Sequence, residues 1–444
     1  MIDMENSRHS DATGGGQVRM ARSRTLRGAA VSLALAWGIA AYAQTPTSAP
    51  APAQMPGASL ASLLDFALAN NPEFAAMRHE ANAASERVIM AGALMDPKLR
   101  LERMDGVELM PAPEQVRMNR VQLMQDIPWF GKRELRRDIA RLETDAAGAR
   151  ASTAWSELSA RIKATYAELE YVHRNERLVR QVLELMVRME RIALARYSGG
   201  LAVQQDVIRA QVEQTRMKSD LLMLERERRM LQARMNMLLG RAAGEPLAEP
   251  QQSRALPAAA QIQAGPLADR ARVNNPQIFA EEARVRAAEK SRELALRNRY
   301  PDLAVGVRSS EWAIGKWEWM VEINIPLQQS SRRAAERESD AMLSAARARR
   351  EASANQVLAD LAESLAGFDF AQRSEALTTH SLLPQAELSF QSALASYENG
   401  RVDFATLLDA QRQVRQARQS QIRSQADAQL RLAEIERWVG EELQ

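Results

Sequence analysis

The chain has 444 residues, a formal net charge of +3 at pH 7 and no cysteine. A charge so close to balance argues against a broad nucleic-acid-binding surface, and the lack of cysteine excludes disulfides, thiolate metal sites and a lipid anchor on an amino-terminal cysteine. Charged residues make up 26% of the chain and aromatic residues 5%, which is typical of long helices and not of a compact enzyme core.

The amino terminus has the three-part order of a secretory signal peptide, which we expect to begin at Met20. Residues 22–27 carry three arginines, residues 29–40 are apolar but too short to span a bilayer, and residues 41–43 form a small-x-small cleavage site, Ala-Tyr-Ala. The alternative is an amphipathic helix of a soluble protein, but the order of the three parts favours a signal peptide.

We therefore predict an N-terminal extension and signal peptide over residues 1–43, a mature chain that starts at Gln44, and a flexible linker over residues 44–58, which are rich in Pro and Ala. No later run of about 20 apolar residues follows, so the sequence predicts no transmembrane helix. An exported chain of this kind is expected to be periplasmic, secreted or an outer-membrane β-barrel.

The remainder of the chain consists of two similar halves. Asn-Asn-Pro at residues 70–72 recurs at residues 274–276, and further along the matched residues lie 200 positions apart. A shared alanine-rich composition would explain matched alanines but not matched Asn, Pro, Tyr and Gly. The second set of pairs includes Leu183 and Leu383, Tyr197 and Tyr397, Gly200 and Gly400, and Gly240 and Gly440.

Each half is predicted to contain a helix, a β-hairpin and then long helices. We assign the first repeat to residues 59–246, an inter-repeat linker to residues 247–262 and the second repeat to residues 263–444. The first helix of each repeat follows Asn-Asn-Pro, at about 72–94 and 276–298. The strands are expected at 97–107, 115–127, 302–310 and 316–326, and both second strands end at a proline, which cannot continue a ladder.

The last strand has the most regular pattern, because residues 316–327 alternate apolar and mostly polar side chains. The flanking segments are helical and offer no second sheet to cover the apolar face, and tryptophan is favoured at membrane interfaces. We expect this face and Trp312 to contact lipid, although an edge strand of a soluble sandwich would show the same alternation. The apolar side carries Trp317, Trp319, Val321, Ile323 and Ile325, and the other side carries Glu318, Met320, Glu322 and Asn324.

The long helical stretches have the period of coiled-coil packing. In the first repeat, apolar residues recur at steps of three, four and seven, interrupted only by Arg228. Glycines after Tyr197 and Tyr397 predict a turn, so each repeat should fold into an antiparallel helical hairpin. Helices of about 60 residues would reach about 90 Å, a length suited to a tube or a bridge. The seam consists of Met217, Leu221, Leu224, Leu231, Met235 and Leu238.

Four strands cannot close on themselves, and an open edge in lipid leaves backbone amides unpaired. Barrels begin at about 8 strands, so a dimer would supply 8 and a trimer 12. Only the larger barrel leaves an open lumen, which Glu318 and Glu322 would face. We therefore predict a trimer.

The duplicated plan resembles the TolC family of outer-membrane efflux and secretion channels. Similar runs are Ala-Arg-Tyr-Ser-Gly-Gly at 195–200, Ala-Ser-Tyr-Glu-Asn-Gly at 395–400, and Gln-Asp-Ile-Pro-Trp-Phe-Gly-Lys-Arg at 125–133. The resemblance covers about residues 60–440. It implies a mainly α protein in which three chains form a 12-stranded barrel in the bacterial outer membrane and an α-helical tube in the periplasm.

The resemblance also implies partners and site residues. A periplasmic adaptor and an inner-membrane pump would dock on the far end of the tube. Asp206 and Tyr397 match positions that hold neighbouring hairpins together in the closed state, and Asp409 matches a carboxylate at the pore entrance. Well-studied members have arginine at the position of Val402 and a second acid at the position of Thr406. The latch and the acid ring would then be altered here, with Arg401 as a substitute for the missing arginine.

A ring of three Asp409 carboxylates in a narrow pore would attract cations, repel anions and bind divalent ions. The alternative for Asp409 is an ordinary solvated helix acid. Because the pore itself needs no reaction, we predict no enzymatic activity and no cofactor.

Other residue types give no chemical site. His9, His79, His173 and His380 are scattered, so no metal site is predicted. The 20 methionines could ligate copper or silver, but their helical spacing favours core packing.

The predicted function is a passive outer-membrane conduit of a tripartite efflux system, and the Pro-Trp-Phe-Gly-Lys run favours heavy-metal cations as its cargo. Type I protein secretion and efflux of organic compounds stay open. A hypothesis of another class is a periplasmic coiled-coil adaptor or structural protein.

Overall fold

The computed structural model describes residues 56–104, 118–251, 254–257, 262–309 and 317–443. The predicted signal peptide, the hairpin loop at 106–114 and Trp312 lie outside the described residues. The helices are α1 Leu60–Asn70, α2 Pro72–Gly92, α3 Lys132–Ser198, α4 Gln204–Leu238, α5 Ala264–Asn274, α6 Pro276–Arg297, α7 Gln329–Leu377, α8 Leu383–Glu398 and α9 Phe404–Val439. The strands are β1 Lys98–Met104, β2 Met118–Ile127, β3 Asp302–Ser309 and β4 Trp317–Asn324.

The repeated Asn-Asn-Pro motif starts α2 and α6. Asn71 accepts a hydrogen bond from Phe74 N at 2.8 Å, which caps α2, and its Nδ2 donates to the main-chain oxygen of Leu238 at 2.8 Å. Asn275 caps α6 in the same way and donates to Trp438 O at 2.8 Å. Each second asparagine therefore joins the first helices of its repeat to the end of the last helix.

The matched glycines complete this junction. Gly240 and Gly440 follow α4 and α9 with φ of 71° and 84°, a conformation that costs little only for glycine. A Cβ at Gly440 would lie 2.7 Å from the main-chain oxygen of Asn274, and one at Gly240 would lie 2.7 Å from that of Asn70. At each junction, the end of the last helix of the repeat approaches the end of the first helix so closely that only the hydrogen of a glycine fits between their main chains.

The long helices pack as the seam predicts. α3 has 67 residues, which corresponds to about 100 Å. Along α4 the seam residues are buried except Leu221, which is half-buried against the same core. Arg228, which interrupts the seam, directs its Nε toward Glu176 Oε1 on α3 at 3.4 Å, so an ion pair replaces the missing apolar contact.

The second repeat differs from the first in one helix. Where α3 is continuous, α7 ends in a π-helical turn, Thr378–Leu382, before α8 begins. Pro384 is the second residue of α8. Proline removes a backbone donor and crowds the preceding turn, and a π-helical turn is a common way to accommodate such a break.

The four strands form one antiparallel sheet in the order β1-β2-β3-β4. Two ladders join the strands of each hairpin, and the middle ladder joins the repeats, with Leu123 opposite Val307. The helices next to the sheet follow the same order, because α2 packs on α3, α3 on α6, and α6 on α7. Within the described residues, no helix combines the length and the apolar character that a membrane crossing requires.

A buried ion network joins the repeats below the sheet. Lys163 on α3 donates to Glu436 Oε2 at 2.9 Å and to Glu442 Oε1 at 2.8 Å. Arg254, in the predicted inter-repeat linker, binds the same Glu436 carboxylate, which also accepts from Leu443 N at 2.8 Å. Lys163 and Glu436 are almost fully buried, so their charges must be compensated within the network. Lys163 has the two glutamates as partners, and Glu436 has Lys163 and Arg254.

Candidate functional site

One face of the sheet is mainly apolar on all four strands, with polar exceptions such as Gln125 and Ser309. Register and alternation place these residues together, with Val307 opposite Trp319 and Val305 opposite Val321. Trp319 is 81% exposed, so the isolated chain leaves this face uncovered, and Ile325 extends it beyond the end of β4. Contact with lipid stays a prediction. The apolar residues are Leu99, Leu101, Val121, Leu123, Ile127, Leu303, Val305, Val307, Trp317, Trp319, Val321 and Ile323.

The opposite face is polar and carries both charges in cross-strand pairs. Lys98 Nζ lies 2.6 Å from Asp126 Oδ2, and Arg308 pairs with Glu318 directly opposite on β4. Glu322 lies on this face as well. Ion pairs between exposed side chains are compatible with water and not with hydrocarbon. The polar face therefore suits contact with water, and the apolar face suits contact with lipid.

The outer edges of the sheet are unpaired within the described chain, since β1 and β4 each have one neighbour. The four helices next to the sheet, α2, α3, α6 and α7, form a layer in which α2 and α7 are likewise the outermost members. Unpaired edges are sites for strand addition. The architecture of one chain is thus a segment of wall with two free edges.

A compact junction connects sheet and helices where the first hairpin ends. Buried Lys132 donates to Asp302 Oδ1 at 2.8 Å and to Tyr300 O at 2.9 Å. Trp129 N donates to the same Asp302 oxygen at 2.8 Å, and the Trp129 ring stacks on Tyr300 at 5.6 Å. These contacts fix the exit of β2 to the entry of β3.

The far ends of the two helical hairpins form the second candidate region. Gly200 and Gly400 have φ of 69° and 71°, and the amide after each donates back to the helix, Leu201 N to Arg196 O and Arg401 N to Ser396 O. The two turns therefore have the same geometry, as the matched motifs predict. We refer to this region, from residue 194 to 209 and from 395 to 412, as the tip.

Arg196 connects the two hairpins at the tip. Its Nη1 donates to the main-chain oxygens of Tyr397 and Glu398, both at 2.7 Å. The guanidinium carbon also lies 4.9 Å from the centre of the Tyr397 ring, a cation–π distance. The matched position in the second repeat is Ser396, so only one of the two turns supplies this clamp.

Tyr397 and Asp206, two of the predicted latch residues, are both buried at the tip. The Tyr397 ring packs on Phe404 at 5.4 Å, and its hydroxyl has no hydrogen-bond partner among the described residues. Burial raises the pKa of Tyr397, and the Asp206 charge raises it further. Burial also raises the pKa of Asp206, Arg209 opposes this effect, and Asp403 adds to it.

The other predicted tip residues have ordinary local roles in one chain. Asp403 accepts from Thr406 N at 2.9 Å and from its hydroxyl, so Thr406 belongs to the cap of α9. Hydrogen bonds from Thr406 lower the pKa of Asp403. Arg401 is exposed and has no ion-pair partner among the described side chains. Its role as a latch stays a prediction.

Asp409 is exposed on α9 but not unpaired. Arg412 donates to it at 3.2 Å and also binds Glu213 on α4. The sequence motifs directed attention to Asp409 and gave no signal for Arg412, because its partner Glu213 is 199 positions away. The pairing would reduce the charge that Asp409 presents to a pore.

No group of three or more His, Asp or Glu side chains in the described chain is placed to hold a metal ion. The ring of His173 has its Nδ1 3.1 Å from Leu169 O in its own helix and its Nε2 3.4 Å from Glu249 Oε1.

The family comparison and the comparison with solved structures agree on one architecture. The family described as "Outer membrane efflux protein" matches residues 63–241 and 267–441, one range in each half. No curated protein matches the sequence.

Solved structures of outer-membrane channels have the same fold. The outer-membrane channel OprN has a TM-score of 0.73 at 19% identity and covers 86% of this chain and 90% of its own. CusC has a TM-score of 0.74 at 17% identity, over 86% of this chain and 92% of that one. VceC from Vibrio cholerae has a TM-score of 0.73 at 18% identity, over 87% and 97%.

Proposed function

The chain belongs to the outer membrane efflux protein family, and on that premise we propose that three copies of it form the exit duct of a tripartite efflux system. It is an outer-membrane channel of the TolC type and not an enzyme. In the proposed assembly, three sheets join into a 12-stranded barrel, three helical layers join into a periplasmic tube, a periplasmic adaptor docks at the far end, and an inner-membrane pump acts through the adaptor.

The observation that carries the trimer is the pair of free edges on an amphipathic sheet. β4 of one copy can pair with β1 of the next, which satisfies the backbone groups that lipid cannot. The apolar face, with Trp319 and Val321, would then surround the barrel, and the ion-paired face would line the lumen. Three sheets of four strands give the 12 strands that an open lumen requires.

Two neighbouring residues of β4 test this orientation. Val321→Asp puts a charge on the proposed lipid face and is expected to prevent insertion, since a charged side chain that faces lipid is destabilising. Met320→Asp puts the same charge on the proposed lumen face and should be tolerated. The measurement is outer-membrane fractionation together with a heat-labile trimer band in gel electrophoresis. Equal behaviour of the two variants, or a wild-type protein that is soluble without detergent, would contradict the proposal.

We propose that the tip closes the duct, with Asp206, Tyr397 and Arg401 as contacts of the closed state and Asp409 and Thr406 at the pore entrance. The burial of Asp206 and Tyr397 beside the Arg196 clamp supports the first part. The exposure of Asp409 on α9 supports the second. Conductance across planar bilayers, measured for alanine variants of each residue, tests both parts.

We propose heavy-metal cations as the cargo, on the resemblance of the Pro-Trp-Phe-Gly-Lys run at 128–132 to channels paired with metal pumps. The test deletes the gene in its host and compares sensitivity to copper, silver, zinc and cobalt salts with sensitivity to dyes and antibiotics. If the deletion strain becomes sensitive only to organic compounds, the cargo would be organic compounds and not metals. Loss of a secreted protein would instead favour type I secretion.

A further inference from the structure

A groove of about 460 Å³ lies where the first hairpin meets the helices. We call it the junction groove and define it by Ile127, Trp129, Phe130, Arg133, Glu134 and Arg137. Ile127 belongs to the apolar face of the sheet, so the groove continues the surface proposed to face lipid. The proposed closed-state contacts and the proposed pore entrance do not include it.

One wall of the groove is apolar and exposed. Phe130 is 79% exposed, and its ring meets that of Trp129 edge-on, with 5.8 Å between the ring centroids. Trp129 beside it is held in place by its stacking on Tyr300. Aromatic rings at the ends of membrane strands are favoured at the level of lipid headgroups.

The other wall is basic, and its charges are poorly compensated. Arg133 donates to Gly92 O at 2.7 Å, and Arg297 donates to Phe130 O at 3.2 Å from beside the groove. Arg137 packs over Gly92, and its Nε is buried without a hydrogen-bond partner. In the part of the chain that the structure describes, no carboxylate pairs with these three arginines, and Glu134 is the only acid among the residues that line the groove.

Arginine beside an apolar wall is the chemistry that binds a lipid phosphate. A guanidinium can donate two parallel hydrogen bonds to phosphate oxygens, and basic residues at a membrane surface attract anionic lipids. We propose that the junction groove binds an anionic glycerophospholipid of the leaflet on the helical side, with its headgroup phosphate on Arg137 and Arg297 and an acyl chain along Phe130 and Ile127. The inference rests on the proposed membrane-embedded barrel.

Because the groove continues the apolar face of the sheet, a lipid fits it better than an inorganic anion does. Inorganic phosphate would use the arginines but would leave Phe130 and Ile127 exposed. A phospholipid covers both walls at once, so binding should require the acyl chains as well as the negative charge.

The experiment uses the full-length assembled channel in a neutral detergent and measures bound lipid by native mass spectrometry. Phosphatidylglycerol is titrated against phosphatidylcholine and against inorganic phosphate. We expect selective binding of phosphatidylglycerol, weakened about fivefold for each arginine removed in Arg137→Gln and Arg297→Gln. Phe130→Ser should weaken it as well. Arg226→Gln, which removes an exposed charge on α4 without an ion-pair partner in the described chain, should leave it unchanged.

The outcomes separate this inference from the proposed function. Equal binding of both lipids, binding of inorganic phosphate as strong as that of phosphatidylglycerol, or equal loss in Arg226→Gln would overturn the lipid site. Conductance of the same preparation in planar bilayers shows whether failure of the lipid site also means failure of the proposed channel. A conducting channel without lipid preference refutes only the groove, whereas a protein that forms no pore refutes the barrel.

Discussion

Arg196 donates a 2.7 Å hydrogen bond to the main-chain oxygen of Tyr397 and covers the ring of the same residue at 4.9 Å. One side chain of the first repeat thus holds both the backbone and the aromatic face of the second. The contact is directed at main chain, so substitutions of Tyr397 alone would retain part of it. Loss of Arg196 would remove all of it.

We expect Arg196→Gln to loosen the tip and raise the open probability of the channel. A hydrogen bond from a charged donor contributes about 1.5–3 kcal/mol, so the closed state should lose roughly ten- to a hundredfold in population. Single-channel recording measures this directly. Arg226→Gln is the matched control, because Arg226 is exposed on α4 outside the tip and has no ion-pair partner in the described chain. An equal effect of both variants would show that charge, and not the clamp, holds the tip closed.

Acidification should stabilise the tip through Asp206. Burial raises its pKa, so the folded state binds a proton more readily than the unfolded chain. The contribution of Asp206 to stability therefore falls as the pH rises from its unfolded pKa through its raised folded pKa. Above the folded pKa, the full cost of burying the charged carboxylate is present. Asp206→Asn should increase thermal stability at neutral pH and remove this part of the pH dependence. A lower stability of the variant at neutral pH would mean that the charge of Asp206 is paired in the assembly.

Asp403 should act with the opposite sign. Its pKa is lowered by hydrogen bonds from Thr406, so its contribution is present above the unfolded pKa and is lost as pH falls through the folded pKa. Asp403→Ala removes the cap and should lower stability at neutral pH. The difference between variant and wild type should shrink in acid, which melting curves at two pH values can measure.

Arg412 is expected to moderate the charge of Asp409. Arg412 pairs with both Asp409 and Glu213, and Glu213 has a second partner in Arg216 at 2.9 Å. Arg412→Gln should therefore free the Asp409 carboxylate and increase the preference of the pore for cations. Asp409→Asn should decrease this preference by less, since its charge is already partly compensated. Reversal potentials in a salt gradient measure both. Unchanged selectivity in both variants would remove Asp409 from the pore entrance.

Gly440→Ala should destabilise the end of the second repeat. The positive φ costs an alanine about 1–2 kcal/mol, and its Cβ would lie 2.7 Å from Asn274 O. Gly148→Ala is the control, because no atom lies within 4 Å of the position of its Cβ and alanine in a helix interior gains about 1 kcal/mol. Opposite shifts of the unfolding midpoint are expected.

Lys163→Met should destabilise the fold by less than the about 3–5 kcal/mol of a fully broken buried pair, because Arg254 still compensates the Glu436 charge. Lys163→Met combined with Glu436→Leu should cost less than the sum of the two single variants, a coupling that denaturant unfolding can measure. Arg347→Ala, which removes an exposed pair with Glu289, should change stability by less than about 1 kcal/mol.

Periodicity alone predicts much of this architecture. The alternation around Trp319 and Val321 predicts β4, because side-chain period identifies a half-covered strand. The coiled-coil seam on α4 follows from its spacing in the same way. The matched Asn-Asn-Pro motifs predict two equivalent helix starts, although their contact with the ends of α4 and α9 becomes visible only in three dimensions.

The tip contacts were harder to predict. Arg196 meets Tyr397 across 201 positions, and no local pattern specifies which side chain of one turn reaches the next. Arg412 and Glu213 have the same difficulty. One signal was available at Arg196, since the matched residue is Ser396 and an unmatched charge inside a matched motif marks a contact that only one repeat makes. The π-helical turn could likewise have been expected from Pro384.

The free edges of β1 and β4 have a consequence for how this protein should be handled. In the proposed trimer the sheet gains its missing backbone hydrogen bonds from the other copies, so its stability would follow the law of mass action. A melting temperature measured in dilute detergent would depend on the protein concentration as much as on the sequence. Under weak expression, the same dependence would leave single chains waiting in the periplasm for partners and exposed to proteases.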